Sequence, residues 1–391
     1  MSFVSKKEIK PRSLTFRKKV SVIPLLVSGQ GVFLFEHTDV KTPCALYFSG
    51  DSDFRLSVYF SQKGVRVIQH SPEGDKDLVD PQNTKGLVTT PGAYYWFSLD
   101  AQNQNLQAGI GEARTETVIY RYQFSPSKET KQGLDSLIKI NADSVTRPLR
   151  LLRDPITRNV PLSVRGTDQL TMTDIAKGSY MPSANLDAIN QKLYGCISGA
   201  NFILDDKDFP EFSQAIEYSI ATPGCWCHEK LIEKSSDFGG PLETYLRITL
   251  NENNGESPGV PYVMEIWPVG HYSPIHDHAG ANAVIRVLNG GIHVTLFNFL
   301  GGDSFGEANF SKGDITWISP TLNQVHQLKN LDSNKDTCIT IQCYMYDQED
   351  TLHYEYFDYL DRDGNFQKFE PDSDMDFLKF KETMRTEWLN R

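Results

Sequence analysis

The sequence has little cysteine, no long apolar run and no excess of positive charge. Six cysteines in 391 residues (Cys44, Cys196, Cys225, Cys227, Cys338 and Cys343) are too sparse for a disulfide scaffold. Cys225-Trp226-Cys227 lacks the second cysteine pair that would complete a structural zinc site. The thiols are therefore expected to be reduced and mostly buried, in an intracellular, cytoplasmic protein. No apolar stretch approaches the length of a membrane span. With 50 acidic against 39 basic residues the formal net charge is −11, which argues against nucleic acid and anionic membrane surfaces as partners. Internal repeats and low-complexity tracts are absent as well. Residues 1–19 hold Lys6, Lys7, Lys10, Arg12, Arg17, Lys18 and Lys19. They lack the apolar core of a secretory signal and read as a solvated basic tail.

The length suits two domains, and a hydrophobic content of 39% supports real cores. Residues 20–124 form a series of short β runs. Phe54, Leu56, Val58 and Phe60 alternate with Arg55, Ser57 and Tyr59, and turn signals recur at 29–31, 49–51, 72–75 and 91–92. This pattern predicts an antiparallel β-sandwich, of a purpose and partner that no motif fixes. Tyr94-Tyr95-Trp96-Phe97 has two readings, a carbohydrate-stacking platform or a core strand, and the core strand is favoured because aromatics are ordinary strand residues. Residues 125–185, interrupted by Pro148, Pro155 and Pro161, read as a linker and wrapping segment.

From 186 to 391 the pattern changes. Helical spacing at 186–197 and 208–220 is followed by strands expected at 244–250, 262–268, 276 onward, 283–288, 292–299, 314–318, 324–329 and 337–346. Eight antiparallel strands suffice for a jelly-roll barrel with its ligand site inside. A hairpin is expected over 354–369, turning at Asp361-Arg362-Asp363-Gly364, and a closing helix over 375–389.

The chemistry centres on residues 270–290. His276 and His278 are two apart in a stretch that reads as strand, so both imidazoles face one side and Asp277 the other. Imidazole suits divalent transition metals. A third imidazole comes from His326, in a His326-Gln327-Leu328-Lys329-Asn330 run behind Gly313 and Pro320. His271 and His293 lie near the site in sequence, and His37, His70, His228 and His353 read as structural.

Gly270, His276-x-His278 and Gly290 resemble the first motif of the cupin family, and Gly313, Pro320 and His326-x-x-x-Asn330 resemble the second. Ala283 falls where many cupins place a glutamate ligand. Within the cupins, three histidines without that acid are similar to the thiol dioxygenases, cysteine dioxygenase in particular. Tyr245-Leu246-Arg247 resembles that family's Tyr-x-Arg, and Thr340-Ile341-Gln342-Cys343-Tyr344 its Ser-x-His-x-Tyr segment. The resemblance covers 186–358. It implies Fe(2+) held by His276, His278 and His326, L-cysteine and O2 as substrates, and cysteine sulfinic acid as product. It also implies Arg247 on the substrate carboxylate with Tyr245 in support, and Tyr344 as a catalytic residue beside the metal. Two departures stand out. Ala283 occupies the place of the cysteine that cross-links to the tyrosine in animal enzymes, and Gln342 replaces the histidine that orients that tyrosine. The residues leave open a dioxygenase of another small thiol, a non-enzymatic cupin binding protein, and a cupin using zinc, nickel or manganese for hydrolysis, isomerisation or lyase chemistry.

Overall fold

The computed structural model describes residues 11–157, 159–251, 261–346 and 356–391. The chain divides into two compact units, 1–159 and 160–391, and both are built mainly of antiparallel sheet.

The first unit is a sandwich of two six-stranded sheets. One runs, in spatial order, Ser13–Thr15, Arg147–Leu152, Gln30–Glu36, Tyr94–Asp100, Asn105–Ile110 and Val118–Gln123. The other runs Val22–Pro24, Leu137–Asp143, Cys44–Gly50, Arg55–Ser61, Gly64–Ser71 and Gly74–Leu78. Alternation turns one face of each sheet inward. The rings of Phe35 and Phe60 then meet edge-on at 5.1 Å, and those of Phe48 and Phe97 meet tilted at 5.1 Å. Tyr95, Trp96 and Phe97 are fully buried, which excludes a stacking platform there and leaves the core-strand reading.

Two expectations about this half need correction. Ser13–Thr15 pairs with Arg147–Leu152, so part of the segment read as a basic tail is strand. Lys6, Lys7 and Lys10 lie outside the described residues. The segment read as a linker also belongs largely to the sandwich. It supplies the helix Lys128–Asp135, capped by Ser127, and the strands Leu137–Asp143 and Arg147–Leu152. The prolines misled. Pro148 sits where the register shifts against Gln30–Glu36, and an irregularity of that kind lets proline reside in a sheet.

The second unit is a cupin-type jelly roll. Its larger sheet has eight strands, in the order Met181–Pro182, Ser163–Arg165, Ile315–Ile318, Asn282–Asn289, Cys338–Met345, Tyr262–Trp267, Leu246–Asn251 and Met375–Asp376. The smaller has six: Ser304–Ser311, Gly291–Phe297, Val325–Lys329, Ile275–His276, Phe357–Leu360 and Phe366–Phe369. The outer face of the larger sheet is covered by helices. Ala188–Ile197 sets Leu193 and Ile197 against Val284, Ile341 and Cys343. Phe212–Ala221, Trp226–Glu233 and Phe377–Leu389 pack around Leu246, Ile248, Met264, Ile266 and Ile339. The intervening positions therefore point into the barrel, and these include Tyr245, Arg247, Glu265, Trp267, Gln342 and Tyr344. The expected strands and hairpin are present with shifted ends; residues 347–355, including His353, lie outside the described residues.

Candidate metal centre

His276 ends the short strand Ile275–His276, and His278 follows two residues on, just outside it. Ala279 (φ 50°) and Gly280 (φ 78°) then turn the chain into Asn282–Asn289. His326 is carried by Val325–Lys329 and lies directly opposite His276 in the ladder. The three rings meet with centroids 4.8 to 5.0 Å apart. One nitrogen from each can be chosen so that all lie within 4.8 Å of one another. Asp277 turns away, its Oδ1 accepting from the backbone N–H groups of Ala279 and Asp358.

The hydrogen bonds around these rings set their tautomers. His276 Nδ1–H donates to the Pro274 carbonyl at 3.0 Å, and His326 Nδ1–H donates to the Asn323 carbonyl at 3.2 Å. Each bond leaves a lone pair on Nε2, which is how a ligating imidazole is normally oriented. His278 Nε2 is 3.2 Å from His326 Nε2, and its buried Nδ1 has no hydrogen-bond partner among the described residues. Burial holds all three neutral, His276 down to about 4, His326 to about 3 and His278 well below the usual imidazole value. Three neutral, convergent, dehydrated imidazoles with an orphaned nitrogen among them fit a divalent metal of the borderline class.

The motif glycines and asparagine build the frame. Gly270 (φ 83°) and Gly290 (φ 63°) adopt left-handed conformations, and a Cβ on Gly290 would meet the Thr337 carbonyl at 2.7 Å. Asn330 is fully buried and donates to the carbonyls of Trp267 and Asp336. It clamps the turns that aim the histidines. His271 donates to the Thr244 carbonyl at 2.8 Å, just ahead of Tyr245. His293 bonds Asn309 on the neighbouring strand at 2.8 Å.

A cavity of about 60 Å³ opens on the three imidazoles. Much of its wall is apolar, with Val287, Ile292, Leu296, Phe310 and Trp317 among its members. Polar groups reach it from Glu265, Thr316, Asn323, Thr340, Gln342 and Tyr344. Ala283 is fully buried and faces Tyr344 across the ladder. The Tyr344 hydroxyl donates to Gln342 Oε1, so the amide takes up the orienting position expected for a histidine. Burial keeps the phenol protonated, its pKa well above the usual tyrosine value. Phe357 and Phe369, on the hairpin, pack within 5.1 Å of His278 and 6.2 Å of His276.

Arg247 lies on the inward face beside Tyr245, as strand alternation requires, and Tyr245 stacks on Trp267 at 4.2 Å. The guanidinium does not wait unpaired for a ligand. Glu265 stands opposite it in register and accepts from Nη1 at 3.4 Å, with both side chains nearly buried. Burial pushes the Glu265 carboxyl up, and the Arg247 charge opposes that rise. Glu265 belongs to the cavity wall, where Arg247 is not among the lining side chains. Glu265 is not among the site residues expected from the sequence, because it sits inside the apolar run Tyr262–Trp267. Its signal was period-two phase, shared with Val263 and Trp267.

No known protein-family model matches the chain. Among solved structures it is similar to the cupin domain of Schizosaccharomyces pombe Cnp3, at 16% identity over 26% of this chain and 65% of that one, with a TM-score of 0.22. It is similar to a cupin domain of an XRE-family transcriptional regulator from Enterobacter cloacae, at 13% identity over 27% and 98%, TM-score 0.22. It is also similar to an L-ribose isomerase from Acinetobacter sp., at 12% identity over 27% and 60%, TM-score 0.23. The first and last of these are matched over less than two thirds of their own length. The chemistry of the site rests on the residues described above.

Proposed function

We propose that the second unit is an iron(II)-dependent thiol dioxygenase, which joins a small thiol to both atoms of O2 to give a sulfinic acid. L-Cysteine is the substrate that the sequence resemblance implies. The observation that carries the reading is the set of three buried neutral imidazoles with an alanine, Ala283, in place of a carboxylate ligand. An iron(II) ion held by His276, His278 and His326 would supply the redox chemistry between thiolate and O2. Neutral donors leave such an ion's charge uncompensated, which favours an anionic thiolate as the incoming ligand.

The chain's own residues supply orientation and a closed site. Much of the wall is apolar, and Phe357 and Phe369 pack against the imidazoles. Tyr344 is held protonated and aligned by Gln342, so it acts as a positioned hydrogen-bond donor beside the histidines. A cavity of about 60 Å³ accommodates roughly four to six water-sized centres, which suits a substrate of a few heavy atoms. The test is oxygen uptake by iron-loaded protein against a panel of small thiols, with the product identified by mass spectrometry after turnover in isotopically labelled O2. A sulfinic acid carrying two labelled oxygens is expected. Absence of uptake with every thiol would contradict the proposal and point to hydrolytic, isomerase or lyase use of another divalent metal.

A further inference from the structure

The charged side chain on the cavity wall is an acid. Glu265 lines the same cavity as His276, His278 and His326, and it is only 5% exposed. Arg247 contacts it at 3.4 Å and is not among the wall residues. The Arg247 charge opposes the rise that burial imposes on the carboxyl, and of the two partners it is the carboxyl that lines the cavity. A buried anion of this kind repels a second anion and attracts a cation. Gln342 and Trp267 are polar side chains beside it, and the Lys234 charge acts on it in the same direction as Arg247.

From this arrangement we infer that the site selects thiols bearing an ammonium group, and that Glu265 is the specificity-determining residue, receiving that ammonium while the thiol faces the three histidines. The inference rests on the thiol reading above and refines it. Recognition falls on the amine rather than on the carboxylate, so cysteamine and L-cysteine are ligands and a mercapto acid without an amine is rejected. In the mercapto acid, the carboxylate would be brought up to the Glu265 carboxyl on the cavity wall, while Arg247 stays outside the lining.

The test is titration calorimetry under nitrogen with iron-loaded protein and three probes: cysteamine, L-cysteine and mercaptopropionate. The parent protein is expected to bind cysteamine roughly a hundredfold more tightly than mercaptopropionate, the scale of one like-charge contact in a desolvated site. Glu265→Gln is expected to erase most of that ratio. Because that variant leaves Arg247 without its partner, the double variant Arg247→Met/Glu265→Leu, which removes both charges, is measured beside it and is expected to lose the ratio too. Equal affinity for cysteamine and mercaptopropionate in the parent, or a ratio that survives in both variants, overturns the inference. Oxygen uptake is recorded in parallel. The expected binding pattern without oxygen uptake supports the ammonium site and overturns the dioxygenase reading. Uptake with no amine preference does the reverse.

Discussion

Replacing Arg247 by alanine tests how the barrel tolerates charge. In the parent, Arg247 and Glu265 compensate each other at 3.4 Å, with side-chain exposures of 11% and 6%. The variant strands the carboxylate, and leaving one member of a buried pair uncompensated destabilises a protein by roughly 3–5 kcal/mol. A unit of this size loses about 2–4 °C of Tm per kcal/mol, so the expected drop is roughly 6–20 °C in a calorimetric or circular-dichroism melt. Two features separate this cause from lost packing. Glu265 already has a raised pKa, so the gap between variant and parent should narrow as the pH is lowered and Glu265 becomes protonated. The double variant Arg247→Met/Glu265→Leu, which leaves no buried charge, should recover most of the loss, because replacing a buried pair by apolar residues is often neutral or better. A single variant that melts with the parent, or a double variant no better than the single, would refute the idea of a compensating buried pair.

Two further outcomes are expected. In metal-free protein the imidazoles of His276 and His326 are depressed from 6.5 to about 4 and about 3, so the unfolded chain binds protons more readily than the folded one below 6.5. The stability they contribute is complete above that pH and is lost toward pH 4 at roughly 1.4 kcal/mol per pH unit for each imidazole; urea unfolding with chelator present that is flat from pH 7 to 5 would contradict this. Ala283 faces Tyr344 in register, whereas the Cys343 thiol points to the opposite face, toward the Leu193 carbonyl at 3.5 Å. The parent should therefore show no mass deficit in its Tyr344 peptide, and Ala283→Cys should acquire a two-hydrogen deficit after turnover with iron and thiol.

The legible parts of the site were those fixed by local spacing. His276-x-His278 and His326-x-x-x-Asn330 could be read because each motif couples ligands to the turn that aims them. Glu265 was hidden because its meaning comes from pairing with Arg247 across two strands, and pairing is not local. The strand Ser304–Ser311 was missed because it forms the edge of its sheet with one fully buried side chain, Phe310, and so shows almost no apolar alternation. The boundary between the units was misplaced for a related reason. Leu134, Leu137, Ile140, Val145 and Leu151 carry the apolar burial of 128–152, too thinly to outweigh the prolines around them.

A three-imidazole centre must hold a metal. Elemental analysis of the purified protein, alongside His276→Ala, His278→Ala and His326→Ala, measures it directly. The expected result is about one divalent metal per chain in the parent, as one three-ligand site requires, with loss in each variant while the fold is kept by circular dichroism. Full metal retention in any one of the three would remove that histidine from the ligand set and contradict the three-imidazole centre.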